Sequence, residues 1–347
     1  MLTFAITAFD PRAHLFRVSV RIPAPAAEQR LSLPAWIPGS YLVREFARHL
    51  SGLSASQGRR AVPLAQLDKA TWLARCEGGA TLTVSYLVYA FDTSVRAAFL
   101  DAQRGFFNGT SVFLRVEGRA AEPHRLELRG LPAGWQVATA LTPVEVDAFG
   151  RGVYAAAGYD ELVDHPVELG RFWRGRFEAH GVPHEYVVAG ALPDFDGARL
   201  LADAQRICEA QIRFWHPLGK PPFERYVFLH NLVDEGHGGL EHRASTALIS
   251  PRRDMPAVGK PDSSDGYVNV LGLVSHEYFH TWNVKRLRPA EFASVDYTQE
   301  NYTELLWFFE GFTSYYDDLF LLRTGLIDTA RYLRLVARTV SGVLSMP

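Results

Sequence analysis

Residues 267–284 read YVNVLGLVSHEYFHTWNV, and this stretch decides how the second half of the chain is read. Its apolar residues recur at helical spacing, which predicts a helix, and inside it lies His276-Glu277-Tyr278-Phe279-His280. Residues four apart share one helix face. Both imidazoles can therefore reach one cation while Glu277 points toward the adjoining coordination position, the arrangement a hydrolytic zinc site needs. The alternative is two hydrogen-bonded, inert histidines on a helix face. His184-Glu185-Tyr186 starts the same way but has Val188 where the second histidine would stand, so His-Glu alone carries no meaning.

A catalytic zinc takes three protein ligands and keeps one position open, so a third ligand must come from elsewhere. Glu310 is the candidate, because residues 306–312, LWFFEGF, place a carboxylate in an apolar helix. A buried unpaired carboxylate is costly, and a cation beside it removes the cost. The competing reading is a surface Glu or one paired with an Arg. Glu300 and Glu304, in a more polar stretch, are the other candidates.

Outward from this motif the pattern is mixed. A helix is expected over 199–215, stopped by Pro217, then strands over 225–229 and 244–249. Further helices are expected over 302–322, closing at Thr324-Gly325, and over 328–344 with Asp328 as N-cap. Phe308, Phe309, Phe312 and Tyr316 fall at helical spacing and are expected in the core. Before about residue 160 the periodicity is two, at 3–9, 15–22, 81–90, 111–117 and 124–128, with Pro and Gly between the runs. The expectation is a multidomain α+β protein, with an N-terminal antiparallel β-sandwich over 1–165 and an α+β domain over 166–347, the boundary marked by Asp164-His165-Pro166.

The length of 347 residues suits two domains, and a net charge of −2 leaves no basic excess for binding a phosphate backbone. No nucleic-acid partner is expected. Cys76 and Cys208 are the two cysteines, too few for a disulfide scaffold, which fits a reducing compartment. The first residues alternate as strands and not as a signal peptide. No window approaches the roughly 20 apolar residues of a spanning helix. A cytoplasmic protein with no membrane partner is expected; the oligomeric state is open.

Residues 276–289, HEYFHTWNVKRLRP, followed by LWFFEGFTSYY at 306–316, resemble the M61 glycyl aminopeptidases, gluzincin metallopeptidases related to the M1 aminopeptidases. The likeness extends to 33–47, LPAWIPGSYLVREFA, and 91–113, FDTSVRAAFLDAQRGFFNGTSVF. The resemblance implies an M1-like β-domain, a thermolysin-like zinc peptidase domain, one Zn2+ per chain, and cleavage behind small N-terminal residues such as Gly or Ala of peptides with a free N-terminus. It implies that His276, His280 and Glu310 hold zinc and that Glu277 is the general base. Gly238-Gly239-Leu240-Glu241-His242 resembles the GxMEN segment of M1 enzymes, whose Glu, on an edge strand, receives the substrate amine; Gly238 and Gly239 suit a close backbone approach. Asn108 resembles a position from which M1 N-terminal domains offer a polar group to that amine, and Asn108-Gly109 reads equally as a turn. Asn283 could orient a ligand or cap the helix.

The same resemblance implies more helices and a C-terminal PDZ domain than the sequence holds, so the helical part is expected to be incomplete. An M1 oxyanion tyrosine would fall beyond Pro347, Tyr315 and Tyr316 follow Glu310 too closely, and His237 is the substitute to consider. Two alternatives therefore stand beside the aminopeptidase: a zinc-binding fragment or peptide-binding protein with little turnover, and a gluzincin hydrolase of other specificity.

Overall fold

The structure, a computed structural model, describes residues 1–346. It forms two compact units, Met1–Arg171 with Ser294–Tyr302, and Phe172–Ala293 with Thr303–Pro347. The division thus falls after Arg171, not at the expected 165, and a short later segment counts with the first unit.

The first unit is built on an eight-stranded sheet in the order Thr142–Val146, Gly152–Ala156, His124–Arg129, Leu2–Asp10, Leu15–Ile22, Leu82–Tyr89, Leu50–Gln57 and Arg60–Val62. Alternation places Leu2, Phe4 and Ile6 on its buried face. There Phe4 meets Phe113 and Phe16 meets Phe107, with ring centroids 5.1 and 5.8 Å apart. Two four-stranded sheets complete the unit. The sheet is not wholly antiparallel as expected, because Leu2–Asp10 and His124–Arg129 run parallel. A parallel pairing between strands so distant in the chain leaves no trace in local periodicity. The expected strand over 111–117 is instead a 3-10 turn, Gly109–Ser111, and a two-residue strand, Arg115–Val116, because Asn108 caps the turn. Helix α1, Tyr159–Val163, lies near the end of the unit, and Ser294–Tyr302 is tied in by Tyr297, whose carbonyl accepts from the backbone of Ala35 and Trp36.

The second unit has a five-stranded mixed sheet, ordered Trp173–Ala179, Val182–Ala189, Tyr226–Val233, Ser245–Pro251 and Gly238–Glu241. Tyr226–Val233 has parallel neighbours on both sides and is buried through its first seven residues, so its sequence reads as a run and not as an alternation. Four helices follow the chain: α2, Gly197–Trp215; α3, Asp265–Phe279; α4, Leu306–Arg323; α5, Thr329–Leu344. Side chains cap three of them at the N-terminus, Asp196 for α2, Ser264 for α3 and Asp328 for α5. Leu200 and Ile207 of α2 and Leu271, Val274 and Tyr278 of α3 share one core with Tyr186 and Phe228 of the sheet. α3 stops at Phe279, earlier than expected, since the following backbone turns back on it through Lys285 N to His280 O and Leu287 N to Trp282 O. Among the described residues no helix is long and apolar enough to cross a membrane.

Candidate metal centre

The helical spacing of α3 brings His276 and His280 onto one face, and their Nε2 atoms stand 3.0 Å apart. Oε2 of Glu310, on α4, lies 3.6 Å from His276 Nε2 and 3.5 Å from His280 Nε2. Four ligands held tetrahedrally at the usual zinc bond lengths are about 3.3 Å from one another. Two imidazoles and a carboxylate at these separations fit a small divalent cation. Among the described residues this is the group that could hold a metal. Glu300 and Glu304 are not in it: Glu300 belongs to the first unit and accepts from Tyr302, and Glu304 is exposed.

Glu310 departs from expectation in one respect. Its side chain is 37% exposed and not buried among aromatic neighbours. Of those neighbours Phe309 is buried, but Trp307 and Phe312 are 67% and 41% exposed, so α4 does not bury its full circumference. Phe312 is therefore not a core residue, and Phe308 and Tyr316 are only half-buried, Tyr316 stacking on Phe279 at 5.3 Å.

Each histidine is oriented by a second hydrogen bond. His276 Nδ1 is 2.9 Å from Asp317 Oδ2. His280 Nδ1 is 2.7 Å from the carbonyl of Asn283, whose side-chain amide donates to Phe309 O and Thr313 Oγ1 of α4. Asn283 thus orients a histidine through its backbone and anchors itself to α4 through its side chain. Asp317 did not emerge from the sequence reading. Its signal was present: it stands seven residues beyond Glu310, near two helical turns and so on the same face.

Charge follows this geometry. Burial opposes a charge on His276 and His280, but hydrogen bonds with Asp317 and Glu310 outweigh it for His276, and the bond with Glu310 does so for His280, so both sit above the usual imidazole range. The partial burial of Glu310 likewise opposes its carboxylate charge, and the two histidines hold it well below the usual range all the same. Burial pushes Glu277 up to about 7 against the pull of both histidines, with the charges of Glu241 and Glu310 adding to the rise. Its Oε2 has no hydrogen-bond partner.

Gly238, Gly239 and Glu241 lie on the edge strand Gly238–Glu241, paired antiparallel with Ser245–Pro251. Glu241 is buried and its Oε1 is unpartnered. His237, just before the strand, is exposed. Asn108 belongs to the first unit, fully buried; its side-chain oxygen accepts from Thr110 N and Oγ1, and Nδ2 has no partner.

The Peptidase M61 N-terminal domain matches residues 3–171 and the M61 glycyl aminopeptidase domain matches 269–347. The chain belongs to the M61 glycyl aminopeptidase family. A similar solved structure, an aminopeptidase N family protein from Idiomarina loihiensis, is 42% identical with a TM-score of 0.93, over 96% of this M61 chain and 56% of that one. The M61 chain thus spans little more than half of that relative. An M1 zinc metallopeptidase mutant from Deinococcus radiodurans, bound to a Tyr-Ser-Ala substrate, superposes with a TM-score of 0.54 at 15% identity, over 100% of this chain and 74% of its own. Aminopeptidase A from Legionella pneumophila, in complex with aspartic acid, gives 0.53 at 13%, over 93% and 37%. At these identities the likeness is one of fold. No curated protein matches in sequence.

Proposed function

We propose that the chain is a zinc metallo-aminopeptidase that hydrolyses the first peptide bond of peptides with a free N-terminus and a small first residue, Gly or Ala, using one Zn2+ per chain. The observation that carries this is the convergence of His276, His280 and Glu310 beside the buried, half-unpartnered carboxylate of Glu277. Two helix-borne imidazoles and a carboxylate from a second helix, next to a mixed sheet, also support reading the second unit as thermolysin-like, and the ring contacts inside the first support a sandwich.

When bound, zinc supplies Lewis acidity toward the scissile carbonyl and makes water more acidic. His276, His280 and Glu310 would hold it. Glu277 takes the proton from the attacking water on its free Oε2 and delivers it to the leaving amine. Glu241 offers a buried acceptor for the substrate ammonium, which favours a free N-terminus over a continuing chain. Gly238 and Gly239 let the peptide lie close to the edge strand. Cys76 and Cys208 are buried free thiols, which fits a cytoplasmic setting.

A second reading, a zinc-holding or peptide-binding chain with little turnover, is favoured by the outward apolar residues Trp307, Phe312, Val340 and Val343 on α4 and α5. Metal analysis with Gly- and Ala-anilide hydrolysis, before and after chelation and zinc return, separates the two. Stoichiometric zinc with restorable turnover supports the aminopeptidase, zinc without turnover selects the second reading, and no metal overturns both.

A further inference from the structure

α4 carries two carboxylates, Glu310 and Asp317, to the histidine pair of α3. Glu310 faces both histidines, and Asp317 faces only the far side of His276. An ionised carboxylate can only accept, so Nδ1 of His276 is the donor in the 2.9 Å contact, and a neutral ring then presents its lone pair at Nε2, toward His280 and Glu310.

The carboxylate is itself fixed. Its side chain is 15% exposed, the backbone N–H of Asp318 donates to Oδ1, and the hydroxyl of Ser275, beside His276 on α3, donates to the Asp317 carbonyl at 2.9 Å. Gln211 of α2 holds Ser275 in turn through its side-chain amide. The two histidines differ in this respect, since His280 is oriented by the neutral carbonyl of Asn283. His276 has a charged partner, which strengthens the ring as a donor as well as aiming it.

We propose that Asp317 is a positioning residue of the metal centre: it fixes His276 as an Nε2 ligand and raises its donor strength, so that α4 supplies both the third ligand and the group that orients the first. This rests on the metal reading above.

The experiment compares zinc affinity, by competition with a chromogenic chelator, and the visible spectrum of the Co2+-substituted protein. It uses the wild-type chain, Asp317→Asn, Asp317→Ala, Ser275→Ala and Glu310→Gln, with thermal unfolding of each metal-free form as a control for folding. Expected are a 10- to 100-fold weaker zinc affinity for Asp317→Ala, a smaller loss for Asp317→Asn, which keeps an acceptor, altered cobalt bands in both, and for Ser275→Ala, which removes one bond to the Asp317 backbone but keeps the carboxylate, a loss smaller than that of Asp317→Ala. Unchanged affinity in both Asp317 variants, while Glu310→Gln releases zinc, overturns the role of Asp317 alone. An equal loss in Ser275→Ala also overturns it, because helix packing and not the carboxylate would then be responsible. No zinc in the wild type overturns the metal reading, and Asp317 with it.

Discussion

The backbone of Gly239 lies against the carboxyl group of Glu277: a β-carbon at position 239 would stand 2.3 Å from Glu277 Cδ and from Oε1. No side chain fits there unless the edge strand or the carboxyl group moves. Gly239→Ala is therefore expected to displace the proposed general base and lower kcat by about 100-fold, the cost of misplacing a reacting group by about 1 Å. Zinc content should not change, since none of the three ligands touches this contact. Steady-state kinetics with metal analysis check it, and full activity in Gly239→Ala would show that Glu277 has room to spare.

Glu277→Gln keeps the shape of the side chain and removes its capacity to carry a proton. The expected result is wild-type zinc content with turnover down by about 10²- to 10⁴-fold, the usual worth of a positioned acid-base group. Retained turnover would remove Glu277 from the mechanism.

In the first unit, Arg104 meets Glu168 in a two-pronged contact, both distances 2.7 Å, with the Glu168 side chain almost fully buried. Burial pushes Glu168 up despite the guanidinium beside it. Arg104→Ala would leave that carboxyl alone, and a loss of about 3–5 kcal/mol is expected from chemical denaturation. Replacing both residues by apolar ones of similar volume is expected to cost far less.

Two buried histidines outside the proposed ligand set, His184 bonded to Tyr278 and His230 bonded to Tyr186 and Ser250, set an acid limit on stability. Burial brings His184 down to about 4, against the Val182 carbonyl that favours its charge, and His230 down to about 3, with His237 adding to the effect. The folded values lie below the ordinary imidazole value, so as pH falls the unfolded chain takes up the proton first. Stability is complete above about pH 6.5 and declines below it by up to about 1.4 kcal/mol per pH unit for each histidine, until the folded pKa values are reached. Denaturation midpoints at pH 7 and pH 5 measure this, and His230→Gln should shallow the slope.

The sequence revealed most where one element carries its own signal. The HExxH pair and its helix, the Glu241 segment and the N-cap Asp328 all depend on neighbours within a few residues. Glu310 was legible as a carboxylate that meets the histidine pair but not in its exposure, because apolar neighbours show that a helix has a hydrophobic face without showing how much of its circumference is covered. Phe312 was misread for that reason. Asp317 lies on the readable face of α4, yet its worth depends on where α3 passes, which is tertiary information. The parallel pairing of Leu2–Asp10 with His124–Arg129 is of the same kind.

Tyr297 gives the chain a particular order of assembly. Its carbonyl satisfies the amides of Ala35 and Trp36, and its hydroxyl reaches Asp160, so the first unit draws on residues that leave the ribosome only after the second unit's whole sheet and α3. A nascent chain stalled at Arg171 would lack the acceptor of these two amides, and no single cut can release either unit intact. Completion of the first unit therefore waits on residues made after the sheet of the second.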